Sequence, residues 1–147
     1  LDNIRSMHNV GSMFRTADCF LAEHIYLCGM TPEPGHHEIE KTALGATQTV
    51  AWTKVDDTLS CIQSLKEQGF RIAALEQAED SIDLRNYQVQ GPTALVVGHE
   101  VMGVQQAVVD ACDDVIEIKQ FGTKHSLNVS VSAGMALFEI HKGLTAK

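Results

Sequence analysis

The chain alternates between short apolar runs and longer stretches with helical periodicity. His24–Gly29 (HIYLCG), Thr49–Thr53 (TVAWT), Phe70–Leu75 (FRIAAL), Thr93–Gly98 (TALVVG) and Val115–Ile118 (VIEI) are short and rich in β-formers. Several are nearly continuous apolar runs, the pattern of strands covered on both faces. Between them, Asn9–Leu21, Leu59–Gln68, Val104–Cys112 and Leu127–Leu144 carry apolar residues at helical spacing. This order predicts one α/β domain with a mostly parallel sheet. Thr31–His37 (TPEPGHH), with two prolines and a glycine, reads as a surface loop. The opening LDNIR reads as the end of a strand and its exit loop, so a first strand is expected ahead of Leu1.

One stretch breaks the pattern. In TKHSLNVSVSAGMALFEI (Thr123–Ile140) the second half is apolar and helical, but the first half alternates like a strand. It places Ser126, Asn128, Ser130 and Ser132 where a core helix wants methyl groups.

Length and composition set limits on this picture. The 147 residues suit one domain with a real core, and 44% hydrophobic against 20% charged residues reads as globular. No apolar run reaches the ~18 residues that span a bilayer. The four cysteines (Cys19, Cys28, Cys61, Cys112) stand singly. That favours packed thiols in a reducing, cytoplasmic setting over disulfides or zinc. The seven histidines include the pair His36–His37, without the Cys or Asp spacing of a metal site. A net charge of −8 excludes a strong non-specific nucleic-acid binder, although Arg5, Arg15, Lys119 and Lys124 form a basic patch if the fold gathers them.

Ligands in open α/β sheets bind beyond the carboxyl ends of the strands. Three such ends carry unusual residues. After Leu1 comes NIRSMHNVGSMFRTAD, with Asn9, Gly11 and Arg15 in N-x-G-x-x-x-R spacing. After Val97 comes GHEVMG, with Gly98, Glu100 and Gly103. After Ile118 comes KQFGTKHSLN. Each has an ordinary structural reading. Asn9 and Ser126 suit helix caps, Gly98 and Gly103 suit turns, Glu100 suits the first turn of a helix, and Arg15 suits an exposed face. Ser130, Ser132, Ala133 and Gly134 suit close helix packing. Asn128 has the poorest excuse, since Asn is unfavourable inside helices.

Together, NVGSMFRTAD, ALVVGHEVMGV and IKQFGTKHSLNVSVSAGMAL resemble the three ordered motifs of the SpoU (TrmH-type) branch of the SPOUT RNA methyltransferases. The resemblance covers nearly the whole chain, and S-L-N-V-S-V is its most specific part. It implies an α/β-knot fold, with helices on both faces of a mostly parallel sheet and a C-terminal trefoil knot. Strand patterns alone would not suggest a knot. It also implies S-adenosylmethionine as cofactor, a homodimer, and methylation of a ribose 2′-hydroxyl in tRNA or rRNA. tRNA is slightly favoured, because minimal relatives include tRNA enzymes. By resemblance the catalytic set is Arg15, Asn9, Ser126 and Asn128. Leu75, Gly98, Glu100, Gly103, Ile118, Ser126 and Leu127 would frame the cofactor.

The sequence departs from the family pattern at three places. Lys119 stands where Pro is usual, Val101 where Gly is frequent, and Leu21 where the first helix often ends in Gly. Leu21 therefore predicts an altered or strained helix exit. Two other readings remain: a non-catalytic RNA-binding relative, and an unrelated nucleotide-binding α/β domain. The intact polar set opposes the first, and the absence of G-x-G-x-x-G opposes the second.

Overall fold

The apolar runs pair as parallel strands. In the computed structural model, which describes residues 1–123 and 126–146, β1 (His24–Cys28) pairs with β2 (Ala51–Val55). A second sheet has the order β4 (Ile82–Asp83), β6 (Asp114–Glu117), β3 (Arg71–Leu75), β5 (Thr93–Val96), again parallel throughout. Asp2 joins the two sheets through parallel bridges to Cys28 on one side and Gly98 on the other. Asp2 is thus bridged on both sides like a strand residue, although no strand is formed there.

Among the described residues, five α-helices cover this framework: α1 (Met7–Cys19), α2 (His37–Ala43), α3 (Thr58–Glu67), α4 (Gln106–Ala111) and α5 (Val129–Thr145). Strand alternation sorts them onto two faces. Ile72 and Ala74 of β3 pack with Ile62 and Leu65 of α3 and Val108 of α4. Ala73, between them, packs with Ile116 and with Ala136 of α5 on the opposite face. α1 buries Val10, Gly11, Met13, Phe14 and Ala17, a single helical stripe, into a third cluster with β1.

Several boundaries differ from the sequence reading. α1 starts at Met7, and its cap is Ser6, whose hydroxyl accepts from the Asn9 amide at 3.2 Å. Asn9 is therefore not the cap. α5 starts at Val129 with Asn128 as its cap, accepting from the amides of Ser130 (2.9 Å) and Val131 (3.4 Å). Ser126 lies two residues ahead of that cap, in the loop, so its expected capping role passes to Asn128. Of that polar stretch, Ser126 is thus loop and Asn128 the cap, while Ser130 and Ser132 lie at the start of α5.

α2 was not foreseen, and Thr31 is not a surface residue. Its buried hydroxyl accepts from the Ile4 amide (3.0 Å) and donates to the Cys28 carbonyl (2.8 Å), pinning the chain after β1 to the segment ahead of α1. Gly11 is the contact between α1 and α2. A Cβ there would lie 2.0 Å from Thr42 Oγ1 and 2.3 Å from the Ile39 carbonyl oxygen. The strain expected at Leu21 is present: it is 80% exposed in left-handed backbone at φ 55°. Val101, by contrast, is 84% exposed and is not among the left-handed residues.

Candidate active site

The loops that follow Asp2, β5 and β6 meet at one end of the sheet. Glu100 holds the first two together. Its carboxylate accepts from the Arg5 amide (3.1 Å to each oxygen), from the Ser6 amide (2.9 Å) and from Asn9 Nδ2 (3.3 Å). Because α1 begins at Met7, these amides are the free donors ahead of its first turn. Glu100 therefore does belong at a helix N-terminus, but that of α1, reached from a distant loop. Partial burial works against its charged form. The hydrogen bonds from Ser6, Arg5 and Asn9 outweigh that and hold its pKa below the ordinary carboxylate value.

Asn128 ties the third loop to the other two. Its Nδ2 donates to Asn9 Oδ1 at 3.2 Å, while its own Oδ1 caps α5. Asn9 has both ends of its amide engaged, donating to Glu100 and accepting from Asn128. The chain Asn128–Asn9–Glu100 links all three motifs. Asn128 thus reaches Glu100 only through Asn9.

The loop after β5 is held from below by Glu76, which the sequence reading passed over. Glu76 Oε2 accepts from the Val104 amide at 2.8 Å. Gly103 sits over this carboxylate at φ 71°, where a Cβ would meet Glu76 Oε2 at 2.3 Å. Gly98 is equally constrained: a Cβ would lie 2.4 Å from the Val104 nitrogen. Both glycines thus let the loop close on itself and on Glu76. The sequence did hold a signal for Glu76, an acid standing directly after the apolar strand FRIAAL.

Around this frame lie the apolar candidates. Leu75 ends β3 and is half-buried between two core clusters, Ile118 follows β6 and packs against the second of them, and Leu127 is partly exposed beside the Asn128 cap. Ser126 is exposed in the same loop. Lys119 is exposed, and its charge acts on Asp83, which the Arg85 guanidinium holds near a pKa of about 2. Phe121 is 83% exposed, and the Arg85 guanidinium carbon lies 6.0 Å from its ring centroid.

Arg15 is not gathered with the polar chain. It is exposed on α1 and lines a separate open cavity of about 470 Å³ with Ser12, Thr16, Cys19, Lys41 and Thr42. Six residues along a helix turn a side chain well away from Asn9. No described contact joins Arg5, Arg15 and Lys119 into one patch, and Lys124 lies outside the described residues. Beside Arg15, α1 packs on α5, where a Cβ on Gly134 would sit 3.5 Å from Thr16 Cγ2. α5 leaves an apolar stripe open: Val131 (52% exposed), Met135 (43%) and Phe138 (52%). Among the described residues no cluster of His, Cys, Asp and Glu is placed to hold a metal, and no helix is long and apolar enough to cross a membrane.

Comparison with known proteins places this arrangement. The model of the SpoU rRNA Methylase family matches residues 1–138. A Staphylococcus haemolyticus protein, named for the TrmH family of tRNA/rRNA methyltransferases, is 32% identical over 142 residues. That match covers 97% of this chain and 57% of the relative. The chain therefore spans just over half the length of such relatives. An AdoMet-bound rRNA methyltransferase from Sinorhizobium meliloti superposes with a TM-score of 0.92 at 28% identity, over 99% of this chain and 56% of that one. The TrmH/SpoU tRNA modifying enzyme of A. aeolicus gives 0.87 at 31% identity, over 97% and 72%.

Proposed function

Since the chain belongs to the SpoU rRNA methylase family, we propose that it methylates a ribose 2′-hydroxyl of RNA, using S-adenosylmethionine as the methyl donor. The observation that carries this reading is the Asn128–Asn9–Glu100 chain, which draws the three motif loops together where an α/β sheet binds its ligand. A structurally similar protein is described with AdoMet bound.

The residues present fit such a cofactor. An adenosine needs apolar walls and free backbone groups. Leu75, Ile118 and Leu127 supply the walls, while the loop of Gly98 and Gly103 and the segment around Ser126 supply backbone at the rim. Glu100 has its carboxylate occupied by three donors. Its role is to hold the loop, not to touch the ligand. When bound, the sulfonium supplies an already activated methyl group.

The task left to the protein is the nucleophile, a hydroxyl almost fully protonated at neutral pH. Placing its oxygen in line and favouring the charge that develops there are the available means. Arg15 serves the second. A guanidinium is not deprotonated in proteins, so it acts as an electrostatic partner for the alkoxide or a neighbouring phosphate, not as a base. Its place in a cavity that holds neither Asn9 nor Asn128 fits a homodimer. In that assembly the α5 stripe of Val131, Met135 and Phe138 is covered and Arg15 serves the other copy's loops. The trefoil knot belongs to the same proposal.

An acidic chain has few charges to spend on RNA. Phe121, open to solvent beside Arg85 and near Lys119, offers a stacking face for a base instead. A tRNA is the first substrate to try. The test is methyl transfer from S-adenosylmethionine to tRNA and rRNA, followed by alkaline hydrolysis. An alkali-resistant dinucleotide supports ribose 2′-O-methylation. Methyl transfer that leaves every linkage alkali-labile assigns the methyl to a base. Failure to transfer to any RNA, with RNA still bound, favours the non-catalytic relative.

A further inference from the structure

Cysteines that stand singly in the sequence meet in the fold. Cys28 ends β1, and Cys61 lies on α3, which packs against that strand. Their approach is fixed from both sides. Asp2 bridges to Cys28 in parallel register. The Thr58 hydroxyl donates to Asp2 Oδ1 at 2.6 Å, fastening the first turn of α3 beside the end of β1. Thr58 and Cys61 are three residues apart on the helix and share a face. That face brings the Cys61 sulfur to Cys28, and the two thiols hydrogen bond to each other.

The two sulfurs differ in setting. Cys28 is buried, while Cys61 is half-buried and lines an open pocket of about 330 Å³ with Tyr26, Asp57 and Ser60. The hydrogen bond from Cys61 holds the Cys28 thiol down at about 6, against the burial that pushes it up, and the same bond raises Cys61. At neutral pH the pair therefore holds one proton between two sulfurs. The other cysteines are placed differently. Cys19 is exposed at the end of α1, and the Cys112 thiol donates to the Val108 carbonyl at 3.1 Å. Among the described residues no third ligand joins Cys28 and Cys61 to make a metal site.

We propose that Cys28 and Cys61 form a reversible intramolecular disulfide, a redox-sensitive modification site outside the proposed active site, with a hydroperoxide as oxidant. Cys61 is the sulfur that the oxidant reaches. It passes its proton along the hydrogen bond to Cys28 and attacks a peroxide oxygen as the thiolate. The O–O bond breaks, hydroxide leaves to be protonated by solvent, and Cys61 becomes a sulfenic acid. The Cys28 sulfur then attacks the Cys61 sulfur. The S–O bond breaks, and the departing hydroxide takes the Cys28 proton as water. Two electrons pass from the sulfurs to the peroxide. The new bond ties α3 to the end of β1, next to Asp2. Beyond Asp2, the Arg5 and Ser6 amides grip Glu100, so oxidation stiffens the frame of the motif loops and consumes no residue of the site.

The test treats four proteins with hydrogen peroxide: the parent, Cys28→Ser, Cys61→Ser and a Cys19→Ser/Cys112→Ser double variant. Free thiols are then alkylated in denaturant and unreduced peptides are mapped by mass. The parent and the double variant are expected to yield a linked Cys28–Cys61 peptide within one chain and to regain both thiols in dithiothreitol. Neither single variant should yield it. The oxidised parent should keep its thermal midpoint or gain several degrees. Cys28 and Cys61 thiols that survive peroxide sufficient to oxidise the exposed Cys19 overturn the proposal. Their loss only as irreversible acids, or only as links between chains, also overturns it. So does a lowered midpoint on oxidation, which would show that the bond forms by distorting the fold.

Discussion

Asn128 donates its side-chain amide to the side-chain oxygen of Asn9 at 3.2 Å, joining two positions 119 residues apart in the chain. The same Asn128 side chain caps α5 through its oxygen. One residue thus starts the last helix and fastens it to the first.

These two roles separate by substitution. Asn128→Ala removes both the cap and the link, and the cap alone is worth about 1 kcal/mol. Asn128→Ser keeps a capping oxygen but is too short to reach Asn9. Urea unfolding is expected to show Asn128→Ser close to the parent in stability. Methyl transfer is expected to fall in both variants. Full activity in Asn128→Ser would remove the link from the mechanism.

Glu100 predicts an acid dependence. Its folded-state pKa is held below the usual glutamate value of about 4.3. The stabilisation is therefore present above that value and lost as the pH falls through the depressed folded-state value. Urea midpoints measured down through this range are expected to fall more steeply in the parent than in Glu100→Gln, which has no proton to gain.

Leu21→Gly is expected to stabilise the chain. A side chain in left-handed backbone costs about 1–2 kcal/mol, part of which is returned as the greater entropy glycine loses on folding. A net gain of about 0.5–1 kcal/mol should appear in the urea midpoint, with no effect on activity.

Arg15 is exposed and has no described hydrogen bond, so Arg15→Ala is expected to leave stability and cofactor affinity unchanged. Methyl transfer should fall by about a hundredfold, as for loss of one electrostatic stabiliser. Arg15→Lys with near-parental turnover would contradict a need for the guanidinium fork.

Phe121→Ala should weaken RNA binding by about 5- to 100-fold, the range expected for one stacked base, and leave its salt dependence unchanged. Phe121→Trp should restore it. An unchanged affinity in Phe121→Ala would remove the stacking face from the reading.

The strand runs and motif loops were legible because each is local. β3 and β5 stand out as apolar runs, Asn128 as a polar residue without a comfortable local role, and Asn9 and Glu100 through their spacing to nearby glycines. What escaped was decided by partners distant in sequence. The sequence reads Ser126 as the cap and Asn128 as helix interior, whereas in the fold Asn128 caps α5 and also reaches Asn9. Gly11 reads as a motif glycine until α2 packs on it, and α2 is too short to announce itself. Glu76 follows an ordinary strand, and its purpose lies 28 residues on, at the Val104 amide. Thr31 looks like loop until Ile4 and Cys28 close around it. Arg15 was read together with Asn9 from motif spacing, but helical geometry sets them on different faces.

The most direct test of the central claim is a calorimetric titration of S-adenosylmethionine into the protein. Saturable binding of about one per chain, abolished by substitutions that break the loop after β5 such as Gly98→Val, is the predicted result. A folded protein that takes up no S-adenosylmethionine would contradict the methyltransferase reading.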